Sequence, residues 1–179
     1  MRQAVGFAVV GAVLVLALVA MMVGWRARGR RSASLVDALP QVPAPDALGP
    51  VLHGPFPGTY VSTTVAGDWL ERVVAHGLGD RSAASVTVHP GGVLVARTGA
   101  PDLYLSADRL LGVERAPAMA GKAVGGAGLV VIRWGSTPTQ QPAFDTGLRL
   151  RHATDRDALT AAVKGLVPPA AQLSSEENA

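Results

Sequence analysis

The chain has no cysteine in its 179 residues. That excludes disulfides, thiol catalysis and Cys-ligated zinc, and it fits a reducing compartment such as the cytoplasm. Lysine is scarce as well: only Lys122 and Lys164 among 16 basic residues, the rest being arginine. Aromatic residues make up 4% and charged residues 16% of the chain. The formal net charge of +3 is unevenly placed. Arg2, Arg26, Arg28, Arg30 and Arg31 hold five of the 16 basic residues, and the 11 left over face all 13 acidic ones, a balance of −2. Basicity therefore belongs to one flank and not to a nucleic-acid footprint, so no nucleic-acid partner is expected.

Reaction chemistry is also thinly supplied. The four histidines, His53, His76, His89 and His152, lack metal-ligand spacing and read as solvated or structural residues. No nucleophile elbow joins the Ser, His and Asp residues. Gly121-Lys122 invites a phosphate-loop reading, but Ala116 stands where the first glycine belongs and Ala123 replaces the hydroxyl that would hold magnesium. The dinucleotide pattern fails too, because Val131 occupies its third glycine. No catalytic, cofactor-binding or metal-binding residue is expected, and the chain is read as non-enzymatic.

What the chain does have is a run of 22 residues, Ala4 to Trp25, without a charged side chain, followed at once by Arg26, Arg28, Arg30 and Arg31. A bilayer core needs about 20 apolar residues in helical form, and a helix satisfies every backbone amide within the segment. A secretory h-region is shorter, about 7–15 residues, and the small residues Ser32-Ala33-Ser34 come only after the arginines. The expectation is an uncleaved transmembrane helix. Positive flanks stay in the cytoplasm, so the N-terminus is expected outside and the larger C-terminal part inside, at the cell membrane. Ala4, Ala8 and Ala12 recur at a spacing that permits close helix approach, a weak pointer to homo-oligomer contact.

Six of the 13 prolines fall between Ser32 and Pro57. Each fixes φ and removes a donor, so 32–57 reads as an extended tether in which neither helix nor sheet runs through. From Gly58 onward, β-branched runs alternate with turns. Thr59 to Val65, Ala84 to Val88, Val93 to Arg97, Leu103 to Leu105, Leu111 to Arg115, Leu129 to Trp134 and Gly147 to Arg151 read as strands, with His89-Pro90-Gly91-Gly92 turning a hairpin. Leu129 to Trp134, the most apolar, is expected to be central, with Trp134 in the core and Trp69 partly exposed. Asp68 to His76 is ambiguous between helix and strand. Leu159, Ala162, Val163 and Leu166 give one apolar stripe on a closing helix. Thr154 and Asp157 stand in capping-box spacing, and Gly165 with Pro168-Pro169 is expected to stop that helix. The domains expected are thus 1–31 anchor, 32–57 linker, 58–167 β domain and 168–179 disordered tail. The fold class is one N-terminal transmembrane helix plus a small β-barrel or roll capped by a C-terminal helix.

Gly58-Thr59-Tyr60-Val61, Asp68-Trp69-Leu70, His76-Gly77-Leu78-Gly79, Val88-His89-Pro90 and Gly121-Lys122 to Trp134, in that order behind one apolar helix and a Pro-rich tether, resemble a family of small actinobacterial single-pass membrane proteins with a pleckstrin-homology-like (PH-like) domain. The resemblance spans essentially the whole chain and implies a PH-like fold and a membrane address. Some members carry a transporter or export label, which a single helix without intramembrane polar residues fits poorly. It implies no catalytic residues.

A PH-like fold raises lipid-headgroup binding, which uses clustered Lys and Arg. The loop after the first strand instead offers Asp68 and Glu71 beside Arg72, so specific phosphoinositide binding is not expected. The reading is a membrane-anchored adaptor in contact with the lipid bilayer and a protein partner, with Asp68, Trp69, Arg72, Gly121 and Lys122 as candidate contacts. The alternative is an accessory subunit of a transport or export complex.

Overall fold

The computed structural model describes residues 11, 13–22, 41–119, 122–123, 128–135 and 142–169, with backbone alone at Trp69, Ala118, Lys122 and Ala123. Residues 13–22 are helical (α1). Ten strands follow: β1 His53–Val65, β2 Asp68–Arg72, β3 Ser82–His89, β4 Gly92–Arg97, β5 Leu103–Ser106, β6 Leu110–Ala116, β7 Ala118–Met119, β8 Lys122–Ala123, β9 Leu129–Gly135 and β10 Ala143–Leu150. Helix α2, Ala153–Leu166, closes the domain. Among the described residues no helix is long and apolar enough to cross a membrane, and Arg26, Arg28, Arg30 and Arg31 of the expected membrane flank lie outside them.

One antiparallel path runs β5-β4-β3-β1-β10-β9-β6, with β2 attached to β1. The centre of that path is β1, not β9. Hydropathy points to β9 because Leu129, Val130, Val131 and Ile132 are all apolar, and all four are indeed buried. That burial on both faces has a different cause. Val130, Ile132 and Trp134 face the main core, while Leu129 and Val131 join Val61 and Met119 in a second, smaller cluster. A continuous apolar run marks a strand covered on both faces, wherever it lies in the sheet.

Strand β1 reaches its central place by length. Its 13 residues pair with β3 from His53 to Tyr60 and with β10 from Gly58 to Val65. A bulge between Tyr60 and Ser62 re-aims the chain between those two partners. Its start corrects the expected tether boundary. Pro55 and Pro57 sit inside β1, at and just after an irregularity between His53 and Phe56. Proline is tolerated at such points, and Pro57 still uses its carbonyl, accepting from Arg151 N at 3.0 Å. Upstream, Leu52 N donates to Val88 O at 2.8 Å, and Gly49 O lies 3.2 Å from His89 Nδ1. The chain therefore docks on the β3–β4 hairpin before β1 begins. His89 is 4% exposed, its other ring nitrogen bonded to Thr87 Oγ1, which makes it a structural residue.

The stripe on α2 packs as expected: Leu159 and Val163 are buried, with Ala162 and Leu166 half-buried against the core. The cap differs. His152 occupies the N-cap without a side-chain cap bond, and Asp157 instead pairs with Arg115 on β6. Gly165 lies within the helix, and Leu166 ends it.

Candidate functional site

The connections at 66–81 and 98–102 gather at one end of the sheet, because β1 and β4 run toward that end and β3 and β5 run away from it. The docked segment 49–53 and the β3–β4 turn occupy the opposite end. Thirteen residues at about 3.3 Å each separate the two ends along β1, roughly 40 Å before bulge and twist shorten it.

Strand β2 is a projection. It pairs Thr64 with Arg72 and Val65 with Asp68, so residues 69–71 loop out between two consecutive pairs. Asp68 Oδ1 accepts from Leu70 N at 3.0 Å and Glu71 N at 3.1 Å, closing that turn. Asp68, expected as a contact, is therefore engaged in shaping the tip. Leu70 stands out at 63% exposure, with Val74 at 37% close behind in sequence. Arg72 is half-buried and donates to Gly79 O. The candidate contacts do not form one cluster. Asp68, Trp69 and Arg72 belong to the projection. Lys122 pairs with Met119 in a separate two-stranded ribbon, and Gly121 lies outside the described residues.

Beneath the loops lies a buried polar chain that the sequence did not reveal. Trp134 Nε1 donates to Thr146 Oγ1 at 2.9 Å; Thr146 and Thr63 hydroxyls are 2.8 Å apart; Thr63 and Tyr60 hydroxyls are 2.7 Å apart; and Tyr60 Oη donates to Leu78 O at 2.7 Å. The two ends fix every proton between them. Indole N–H only donates and a carbonyl only accepts, so each hydroxyl accepts from the Trp134 side and donates toward Leu78. Burial pushes the Tyr60 phenol up to about 12, against the opposing influences of Thr63 and Arg97.

Arg97, the last residue of β4, completes the arrangement. It is 5% exposed, and its guanidinium carbon lies 4.6 Å from the centre of the Tyr60 ring. Nε donates to Pro101 O at 2.6 Å and Nη1 to Gly77 O at 2.9 Å. A signal for this was present: Val93, Val95 and Arg97 share one face of a strand by period two, and the first two are core residues. At the rim, Asp68, Glu71, Asp80 and Asp102 are exposed, against Arg81 exposed and Arg72 half-buried. On the outer sheet face Arg133 grips Asp145 with two bonds, 2.8 and 2.9 Å. Among the described residues no group of three His, Asp or Glu side chains converges as a metal site.

The loop end thus brings together an apolar tip, an acidic rim and an interior arginine bonded to backbone carbonyls. No curated protein matches the chain. A family model described as Bacterial PH domain-like matches residues 36–164. That span covers the docked segment, every strand and most of α2, so the chain belongs to the bacterial PH domain-like family.

Proposed function

We propose that the protein is a non-catalytic, single-pass membrane adaptor that presents its PH-like domain to a protein partner at the cytoplasmic face of the cell membrane. The carrying observation for partner contact is the projection at β2: Leu70, 63% exposed, on a looped-out turn with Val74 behind it and an acidic rim around it. An apolar tip within a polar rim is the usual anatomy of a contact site. The anchor is supported by the 22-residue apolar run and its arginine flank. It is also supported by α1, where Val13, Leu14, Leu16, Leu18 and Met21 are 59–70% exposed; a helix apolar on all sides needs lipid or protein around it.

In this reading the chain enters the domain at the β3–β4 end, so the tip lies at the far end from the tether. Tethering raises the effective concentration of partner and tip even where affinity is modest. The test is affinity purification of the full-length protein in mild detergent, with Leu70→Asp as the comparison. A partner recovered near stoichiometrically with the parent chain and lost with the variant is the expected result. A partner retained by Leu70→Asp, or no protein partner at all, refutes the placement. Alkaline phosphatase fused after Ala179 is expected to be inactive; activity would reverse the orientation.

A further inference from the structure

We propose that Arg97 is a pin that makes two loops, 75–80 and 98–102, move as one body, so that the loop end of the domain is preformed and does not close around a ligand. Its guanidinium fork bonds one carbonyl in each loop, Gly77 O at 2.9 Å and Pro101 O at 2.6 Å, while its own backbone N–H donates to Asp102 Oδ1 at 2.8 Å. A planar fork with fixed donor directions is suited to holding two acceptors at once.

The residue is costly where it stands. It is 5% exposed, no carboxylate lies within ion-pair distance among the described residues, and its Nη2 has no hydrogen-bond partner. Two carbonyls and the Tyr60 ring are what it has in place of a counter-ion. Buried charges are often replaceable by apolar side chains without loss of stability, so fold stability alone gives weak reason for an arginine here. Loop geometry gives a stronger one. His76 holds φ at +55° and Gly77 at +67°; a non-glycine residue in the left-handed region persists where its surroundings over-determine it. The bond from Arg97 falls on the carbonyl directly after His76. The next carbonyl, Leu78 O, is taken by Tyr60 Oη and Thr63 N. Successive carbonyls of one loop are thus held from beneath by a single stacked pair, and the same arginine reaches across to the other loop.

The pin rests on contacts within the domain, so its test reads the loops directly and stands apart from the membrane and partner proposals. Hydrogen exchange of the full-length protein in detergent is compared for the parent, Arg97→Met and Arg97→Lys, using peptides over 75–80, 98–102 and the β3–β4 hairpin. Arg97→Met is expected to speed exchange in both loops together, by about tenfold or more, while the hairpin is unchanged. Arg97→Lys, a point donor without a fork, is expected to loosen one loop and spare the other. Unchanged loops in Arg97→Met, or a uniform rise that includes the hairpin, overturn the proposal; so does Arg97→Lys protecting both loops as well as arginine does.

Discussion

Replacing Thr146 by valine removes one atom's chemistry from the middle of the buried chain. The Thr146 hydroxyl accepts from Trp134 Nε1 and donates to Thr63. Both Trp134 and Thr146 are 0% exposed, so no water replaces the lost acceptor. Valine leaves the indole N–H an orphan, a penalty of about 1–3 kcal/mol. Thr63 keeps its acceptor, Tyr60 Oη, and loses only an incoming donor, which adds little. The added methyl recovers part of the loss through apolar burial, about 0.8 kcal/mol for one group. The net expectation is about 1–2 kcal/mol of destabilisation. For a domain of this size that is roughly 4–10 °C in Tm. Thr146→Ser keeps the hydroxyl and is expected to lose less, by the methyl alone. Thermal unfolding followed by tryptophan fluorescence in detergent, with both variants side by side, measures the difference. Valine within 0.5 kcal/mol of the parent, or serine as damaging as valine, would refute the directional chain.

Three further outcomes follow from the same interior. Because the folded Tyr60 phenol titrates near 12 and the unfolded one near 10, the unfolded state loses its proton first; stability is fully present below pH 10 and falls by roughly 2–3 kcal/mol as pH rises to 12. Urea unfolding across that range measures the slope, and Tyr60→Phe is expected to flatten it. A β-carbon at Gly147 would lie 2.5 Å from Met119 Sδ and 3.6 Å from Met119 Cε, with Leu129 Cδ1 at 3.7 Å. Gly147→Ala should therefore displace Met119 and leave the strand intact, seen as a shift of the Met119 methyl resonance with β10 amides unmoved. Arg133→Ala leaves the Asp145 carboxylate without its two bonds and is expected to cost about 1–2 kcal/mol for a half-exposed pair, measurable by denaturant midpoint.

Local patterns carried well from sequence to structure where one face of an element decided burial. The β3–β4 hairpin, the α2 stripe and the burial of Trp134 are of this kind. The departures share a physical cause: they depend on pairing between segments far apart in the chain. Prolines in 53–57 argued against a strand, yet β1 begins there because an irregularity accommodates Pro55 and the Pro57 carbonyl still accepts from Arg151 N, across the chain. The capping box at Thr154 and Asp157 was overridden by Arg115, a residue 42 positions away. Of the expected contact residues, Asp68 shapes a turn; Leu70 and Val74 are not among them and stand out only by their exposure. Tyr60, Thr63, Thr146 and Trp134 looked like ordinary strand residues, because nothing in one sequence shows which hydroxyls will face one another across β1, β10 and β9.

The proposed partner contact can be set against a headgroup ligand at the same loop end. A phosphate-binding loop end needs cationic side chains turned outward, with donors free to meet an anion. Here the arginine nearest the loop interior is turned inward and engaged by Gly77 and Pro101 carbonyls. Four exposed carboxylates at the rim, Asp68, Glu71, Asp80 and Asp102, outnumber the exposed Arg81 and half-buried Arg72, and would repel an approaching headgroup. Turning Arg97 outward would leave two carbonyls unpaired by it and uncover the Tyr60 ring. The apolar Leu70 tip asks for a partner that buries hydrocarbon, and the acidic rim asks for one with basic groups around that contact. In the adaptor reading we propose, the partner is therefore a protein with a basic-rimmed apolar pocket, which meets both demands, and not a phosphorylated headgroup.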